Sequence, residues 1–547
     1  MIERASTGWR PWALLILLCL GLYLPGIAAL PVLDRDEARF AQATRQMLES
    51  GDFLRIRFQD EARNKKPVGI YWLEAASVAA LSDAESTAIW PYRLPSLLGA
   101  VVAVLLTFAL GSALLGREAA LLGAALLASA LGVVAEAHLA KTDAVLLATA
   151  VAAQGALGRI YRDARRGGAR PFWGWALLFW SAQGVGILVK GPVTPLLSVL
   201  AAASLAIADR EVRWLGGLRA FWGVPLMLAI AAPWFIAITA ATSGAFLGEA
   251  VGHDFLGKLI GGQEAHGAPP GYYLLLLAAT FWPGSLLLAP GIAQAWRDRS
   301  APVERFLIAW IVPFWLALEF IPTKLPHYIL PAYPALALLI GRGLIAGAAR
   351  PRWLDGAVAA LWSIAALLLA AVLALAPFLL DRRLDVAGLV AAAIILFFGA
   401  RLAVAAWRSS RPGLVARAAL LALLVFPAAF QLVAPRLDRL WLSRDAAAMV
   451  ARYRPPHDAP IIAVGYDEPS LVFLLGTGTR LVSAETAAGY ITATRGAAAL
   501  VSDRHDAAFK AALKQRGWEG RAVDRVSGFD YSNGHAMTLT LYTGAPG

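Results

Sequence analysis

Cysteine is almost missing from this chain. Its 547 residues hold one, Cys19, inside an apolar run. That excludes an intrachain disulfide framework and a cysteine-based zinc site. Charge is scarce too: 16% of residues are Asp, Glu, Lys or Arg, where a soluble domain carries about a quarter. Internal repeats are not evident, and no phosphate-cradling glycine loop is present. Gly476-Thr477-Gly478 reads as a turn, far too short for a nucleotide loop. Lysine is the rarer cation by a wide margin, eight against 41 arginines.

What fills the chain is apolar sequence, 59% of all residues. Runs of about twenty such residues recur, which defines a polytopic membrane protein. Thirteen spans are expected, near 12–31, 94–115, 119–139, 142–161, 172–189, 192–209, 220–241, 271–294, 303–321, 326–346, 355–379, 385–407 and 414–433. Arg4 and Arg10 precede a first run too long for a signal-peptide core, so it reads as a retained helix.

Arginines crowd alternate short loops: Arg162, Arg165, Arg166 and Arg170; Arg210, Arg213 and Arg219; Arg297, Arg299 and Arg305; Arg342, Arg350 and Arg352; Arg408, Arg411 and Arg417. Positive charge marks the cytoplasmic side. The N-terminus is therefore expected inside and the C-terminus outside. The net charge of +12 follows from this topology and does not call for nucleic acid.

All eight lysines fall in the other loops or beyond the last run, on the expected outer side. A compact ammonium is a good point-charge partner for phosphate. Chance in an arginine-biased composition is the plainer explanation for any one of them, and snorkelling to lipid phosphates for Lys66, Lys190 and Lys324. The loop 32–93 opens with Asp34-Arg35-Asp36-Glu37-Ala38-Arg39-Phe40 and later carries Asn64-Lys65-Lys66-Pro67. Other outer loops hold His138, Lys141 and Asp143; Lys190-Gly191-Pro192; His253-Asp254, Lys258 and His266; and Lys324-Leu325-Pro326-His327-Tyr328. Five loops thus bring acid, base and cation to one membrane face.

Loop 32–93 is too long to lack structure of its own. Ala38–Leu48 reads as an amphipathic helix with Phe40, Ala43, Met47 and Leu48 on one side. Val68–Leu81 reads as a second apolar helix, too short to cross. Both suit the interface. Beyond about residue 434 the pattern changes to short strands at 461–464, 498–501 and 538–542, with a helix near 507–516. This is expected to be a small α/β domain, so the chain divides into 1–433 and 434–547.

Asp34 to Phe40, then Lys66-Pro67-Val68-Gly69-Ile70-Tyr71-Trp72, resembles the GT-C glycosyltransferases, in the branch of protein O-mannosyltransferases and lipid A aminoarabinose transferases. Lys324-Leu325-Pro326-His327-Tyr328-Ile329-Leu330-Pro331-Ala332-Tyr333-Pro334 resembles the aminoarabinose group in particular. The resemblance implies an α-helical GT-C membrane domain of about 13 helices, with a small C-terminal α/β domain in the periplasm of a bacterial inner membrane. It implies transfer of 4-amino-4-deoxy-L-arabinose from undecaprenyl phosphate to a lipid A phosphate, and through it resistance to polymyxin and other cationic peptides.

No cofactor is required on this reading. His253 or His266, with Glu249, Asp254 or Glu264 nearby, offers a weak site for a divalent metal. Asp36 matches the family's catalytic carboxylate, either as a general base or as a group that orients the acceptor or binds the sugar amine. Glu37 and Asp143 join it as catalytic candidates. Arg39, Lys65, Lys66, Lys190, His253 and Lys324 are the candidates for the donor phosphate, and Tyr328 and Tyr333 for a lipid groove. The alternatives are another polyprenyl-phosphate-sugar transferase with a protein or glycan acceptor, or a polyprenyl-linked lipid transporter. Charges gathered at one surface, without repeats, favour an enzyme over a transporter.

Overall fold

In the computed structural model the described residues are 2–167, 172–249, 267–347, 349–453 and 459–544. A helix, straight or broken, occupies each of the thirteen expected apolar runs. Among the described residues, seven helices are long and apolar enough to cross a membrane. The count is nine if two bent pairs are each one span. One pair, Arg117–Ala128 and Leu131–Ala137, bends by 61°; the other, Tyr272–Thr280 and Gly284–Arg297, bends by 111°. The remaining runs form helices that are shorter, such as Arg10–Tyr23 and Val193–Asp209, more charged, such as Pro302–Phe320, or less apolar, such as Trp173–Lys190.

These helices are apolar all round, so burial rather than amphipathicity ranks them. Asp143–Arg165 lies at the centre of the bundle, with 94% of its apolar window buried, whereas Ala220–Ala241 is only 17% buried and faces outward. Tyr333–Ala346 packs tightly through small residues. A Cβ on Gly341 would collide with the Ala119 carbonyl, and one on Gly343 with that of Pro290. Such close approach is how membrane helices gain van der Waals contact without a hydrophobic driving force.

One end of the bundle gathers the arginine-rich loops. Asp209 accepts from Tyr161 at 2.6 Å and pairs with both Arg165 and Arg305, while Arg165 also reaches Glu211 at 3.0 Å. Three loops far apart in sequence are thereby fixed at the same membrane face.

The opposite end carries loop 32–93 and the C-terminal region. The loop folds as a helix Asp36–Ser50, a two-stranded hairpin pairing Arg57–Phe58 with Glu61–Ala62, and a helix Gly69–Leu81. Phe40, Ala43 and Met47 are buried with Ile70, Tyr71 and Trp234, as the amphipathic pattern predicts.

The C-terminal region forms a five-stranded mixed sheet. Its order is Arg480–Leu481, Ile461–Val464, Ala498–Ser502, His535–Thr543, Ala522–Asp530, with the first three parallel and the last two antiparallel. Helices Ala484–Ala493 and Asp503–Gln515 pack with the sheet in one apolar cluster.

Loop and sheet domain are bonded to each other. Gln42 Nε2 donates to Thr477 Oγ1 at 2.7 Å, Arg45 Nη1 donates to the Phe473 carbonyl at 2.9 Å, and Thr477 Oγ1 donates to Glu49 at 2.7 Å. The Gly476-Thr477-Gly478 turn is thus a docking element. Nearby, the Asp34 amide donates to the Tyr531 hydroxyl at 2.7 Å, and Ser470 donates to the Asp34 carboxylate.

Burial raises the Asp34 carboxyl to about 6, against the opposing bonds from Ser470 and Tyr531. The folded chain therefore keeps a proton there that an unfolded chain, titrating near 4, has released. Native stability falls as pH climbs from about 4 to about 6, and the deficit persists above that. Asp34→Asn keeps an acceptor for Ser470 and removes the charge. We expect this variant to melt above the parent at pH 7, and the two to converge at pH 4, in detergent-solubilised protein. A gap of equal size at both values would remove Asp34 ionisation from the docking energetics.

Candidate active site at the membrane face

Asp36 is the first residue of its helix, where the positive end of the helix dipole favours a carboxylate. It is exposed, and Arg39 one turn on is half-buried. Among the described residues neither takes part in an ion pair, so Asp36 and Arg39 do not form a helix-end salt bridge with each other. Arg35, just before, has a left-handed φ of 63°. That conformation costs a non-glycine residue about 1–3 kcal/mol and persists only where surroundings over-determine it. Here Arg35 donates to the Ser532 carbonyl, while Asp34 is held by Tyr531 and Ser470. The C-terminal domain thus fixes the turn that presents Asp36.

Asp143 begins the central helix Asp143–Arg165, and Lys190 ends the helix Trp173–Lys190. Each charge complements its own helix end, and the two pair directly. The other Asp143 oxygen lies 3.7 Å from His327 Nε2. His327 Nδ1 is 3.4 Å from Lys141 Nζ and 3.8 Å from Glu136, and Lys141 pairs with Glu136 at 3.0 Å. The Lys190 ammonium also sits 5.2 Å above the Tyr328 ring.

This cluster of two carboxylates, two ammoniums and an imidazole is almost wholly buried. Burial works against the Lys141 ammonium, yet Glu136 and Asp143 outweigh it and hold its pKa above the ordinary lysine value. Asp36 acts on the same ammonium, and Lys66 acts electrostatically on His327. The loop residues Asp36 and Lys66 therefore belong to one electrostatic unit with Asp143, Lys190 and Tyr328. Lys65, beside Lys66, is exposed.

Other expected site residues lie elsewhere. Glu37 is buried and makes a two-point ion pair with Arg93, at 2.8 and 2.9 Å. It also accepts the amides of Leu33 at 2.8 Å and Ala140 at 2.9 Å. With its oxygens so engaged, it positions its neighbours rather than facing substrate. Lys324, a candidate for the phosphate, is buried and donates to the carbonyls of Ala268 at 2.7 Å and Ile321 at 3.0 Å. It clamps its own loop. Tyr333, expected along a lipid groove, is fully buried, bonds Thr280 and packs edge-on against Phe281. His253 and His266 lie outside the described residues. Among the described residues no group of three or more His, Cys, Asp or Glu is arranged to hold a metal.

Glu136 and His327 were not singled out by the sequence reading. An ionisable residue inside an apolar run is the signal that marks Glu136, and His327 lies within the Lys324–Pro334 motif.

The class follows from this arrangement. A helical membrane bundle, a structured first loop and a C-terminal mixed sheet, with charge gathered at one face, is the GT-C fold that the sequence resembles. ArnT from Cupriavidus metallidurans bound to undecaprenyl phosphate superposes with a TM-score of 0.77 over 98% of both chains at 19% identity, and so shares this fold. The Archaeoglobus fulgidus oligosaccharyltransferase is a more distant match, with a TM-score of 0.51 over 88% of this chain and 64% of that one at 11% identity.

More particular similarity comes from sequence. Residues 12–245 match the family model for dolichyl-phosphate-mannose-protein mannosyltransferase. The undecaprenyl phosphate-alpha-4-amino-4-deoxy-L-arabinose arabinosyl transferase of Pseudomonas paraeruginosa is 31% identical over 344 residues, 61% of this chain and 60% of that protein. Its Pseudomonas aeruginosa counterpart is 32% identical over 340 residues, 60% and 59% of the two chains. The chain thus spans about three fifths of the length of the curated relatives it matches.

The Glu37–Arg93 pair gives a direct test of the architecture. Removing one partner strands a buried charge, at a cost of about 3–5 kcal/mol, whereas replacing both can be nearly neutral. Arg93→Met and Glu37→Gln should each lower the melting temperature of purified protein sharply. The double variant should recover part of the loss. Strictly additive losses would mean that the two side chains stabilise the fold independently.

Proposed function

We propose that the chain is a glycosyltransferase that moves 4-amino-4-deoxy-L-arabinose from undecaprenyl phosphate to a phosphate of lipid A. The reaction takes place at the outer leaflet of a bacterial inner membrane, with the sheet domain in the periplasm. The observation that carries this reading is the buried Asp143–Lys190–His327 cluster at the membrane face that also carries the loop helix opened by Asp36. The names of the aligned relatives, and the undecaprenyl phosphate bound by the Cupriavidus protein of the same fold, supply the substrate class.

In the transfer, the bond between the sugar's anomeric carbon and the donor phosphate oxygen breaks. Its electron pair leaves with undecaprenyl phosphate. A lipid A phosphate oxygen forms the new bond to the same carbon. Negative charge grows on the departing phosphate, and fixed cations aimed at it lower the barrier. Lys66, Arg39 and Lys190 are the groups we assign to that task, with Lys65 at the rim. A phosphate acceptor is already ionised, so it needs little help from a base. Asp36 then orients the acceptor or binds the sugar's ammonium; with a hydroxyl acceptor it would take the proton. Asp143 holds Lys190 and His327 in register, and Tyr328 flanks the Lys190 ammonium. No step calls for a metal. Placing a cationic sugar on lipid A lowers surface negative charge, so resistance to polymyxin and other cationic peptides follows.

The match of residues 12–245 to the mannosyltransferase family favours a second reading, a transferase of the same donor chemistry acting on protein. Mass spectrometry separates the two. Cells with the protein should carry aminoarabinose on lipid A, and cells lacking it should not.

Asp36→Asn should abolish that modification while expression and membrane insertion persist. Lys66→Ala should lose more turnover than undecaprenyl phosphate binding, because the phosphate charge is greatest in the transition state. Lys66→Arg should rescue only partly, since a planar guanidinium keeps the charge but not the geometry. Full lipid A modification by Asp36→Asn would take that carboxylate out of the reaction.

A further inference from the structure

At the end of the bundle away from the candidate site, a cleft of about 270 Å³ opens between the helices Val386–Arg408 and Gly413–Pro427. Its walls are apolar, from Phe398, Leu420, Leu421 and Leu424, and two guanidiniums, Arg401 and Arg417, line it. Arg401 lies seven residues before its helix ends and Arg417 four residues after the next one begins, about 10 and 6 Å along the helices. Both are therefore set in from the membrane surface at similar depth.

Two like charges on one apolar cleft repel each other and ask for an anion. Among the described residues none is supplied. From residue 386 to 437 there is no Asp or Glu. Asp355, on the helix Arg352–Asp381 packed alongside, is already held by Arg350 at 2.6 Å. Among the described residues no carboxylate pairs with either arginine, and the Arg401 guanidinium lies over the Phe397 ring at 5.7 Å. Phe398, Leu420 and Leu424 are exposed on this outer surface, where hydrocarbon is the solvent.

We propose that this cleft is a binding site for an anionic phospholipid of the leaflet opposite the candidate active site. Its phosphodiester lies between Arg401 and Arg417, and an acyl chain runs along Phe398, Leu420 and Leu424. Basic pockets between membrane helices are suited to such headgroups. The occupant is a lipid rather than free phosphate because the arginines are joined to an apolar wall at membrane depth. The site is independent of the transfer reaction proposed above and uses none of its residues.

The test uses the full chain in nanodiscs of phosphatidylcholine alone or with phosphatidylglycerol. Phosphatidylglycerol should raise the wild-type melting temperature, and native mass spectrometry should find one tightly retained phosphatidylglycerol. Arg401→Gln with Arg417→Gln should lower that retention on the order of tenfold or more and abolish the thermal shift. In phosphatidylcholine alone, variant and parent should melt alike, which separates lost binding from lost folding. Arg299→Gln, an exposed arginine stacked on Trp296, should leave retention unchanged. Undiminished retention in the double variant, an equal loss in Arg299→Gln, or an equal thermal shift from inorganic phosphate alone would each overturn the proposal.

Discussion

Arg93 and Glu37 form an ion pair with no solvent access, and most of the membrane face is tied to it. Beyond Glu37, the guanidinium donates to the carbonyls of Ile27, Leu30 and Pro31 at 2.6 to 3.0 Å. The carboxylate in turn takes the amides of Leu33 and Ala140. One pair therefore pins the exit of the first helix, the start of the first loop and the link before the central helix. Glu37 is next to Asp36, and Ala140 is next to Lys141. Fixing the first two fixes the second two, and Asp36 acts on Lys141 across that junction. A buried pair need not stabilise a fold more than apolar side chains would. Here its directionality sets the register between segments a hundred residues apart.

In the cluster beyond it each charge has an opposite partner, although Glu136 Oε2 accepts no hydrogen bond. Asp143 answers Lys190, Glu136 answers Lys141, and His327 lies between the two pairs. Such a network can be buried only if each member has a partner, since the low dielectric penalises an unpaired group as strongly as it rewards a paired one. Arg39 and Asp36 stand outside that balance, at the accessible edge. On the proposed reaction, Lys190, already held by Asp143, is the cation whose support is in place before a phosphate arrives, which is the condition for stabilising developing charge without reorganisation.

The helical runs were legible because membrane-length apolar sequence has few other uses. The loop helices were legible from Phe40, Ala43 and Met47 at helical spacing. Strands were visible as apolar runs at 461–464, 498–501 and 538–542, within Ile461–Val464, Ala498–Ser502 and His535–Thr543, whereas Ala522–Asp530 was not, because its edge position leaves polar residues such as Asp524 and Ser527 in the strand. Asp36, Lys66, Asp143 and Lys190 could be picked out as charges flanking helix ends. Direction could not. Lys324 and Lys190 look alike in sequence, each just before a proline-containing turn, yet one donates to its own loop's carbonyls and the other meets Asp143. Glu37 and Asp36 are adjacent, and helix geometry turns successive residues about 100° apart, so one enters the core and the other faces out. Which one does so depends on Arg93, fifty-six residues away.

The C-terminal sheet domain enters the same logic through strain. Arg35 holds a left-handed backbone that local sequence does not favour, and the bonds that hold it come from Ser470, Tyr531 and Ser532. Those residues are more than four hundred positions away in the chain. The domain is bonded to the loop again through Thr477 and Phe473. Its contribution to the site is therefore mechanical. Arg93 fixes Glu37 from the membrane side, and the sheet domain fixes Asp34 and Arg35 from the other. Asp36 is set between these two anchors, and its orientation depends on both.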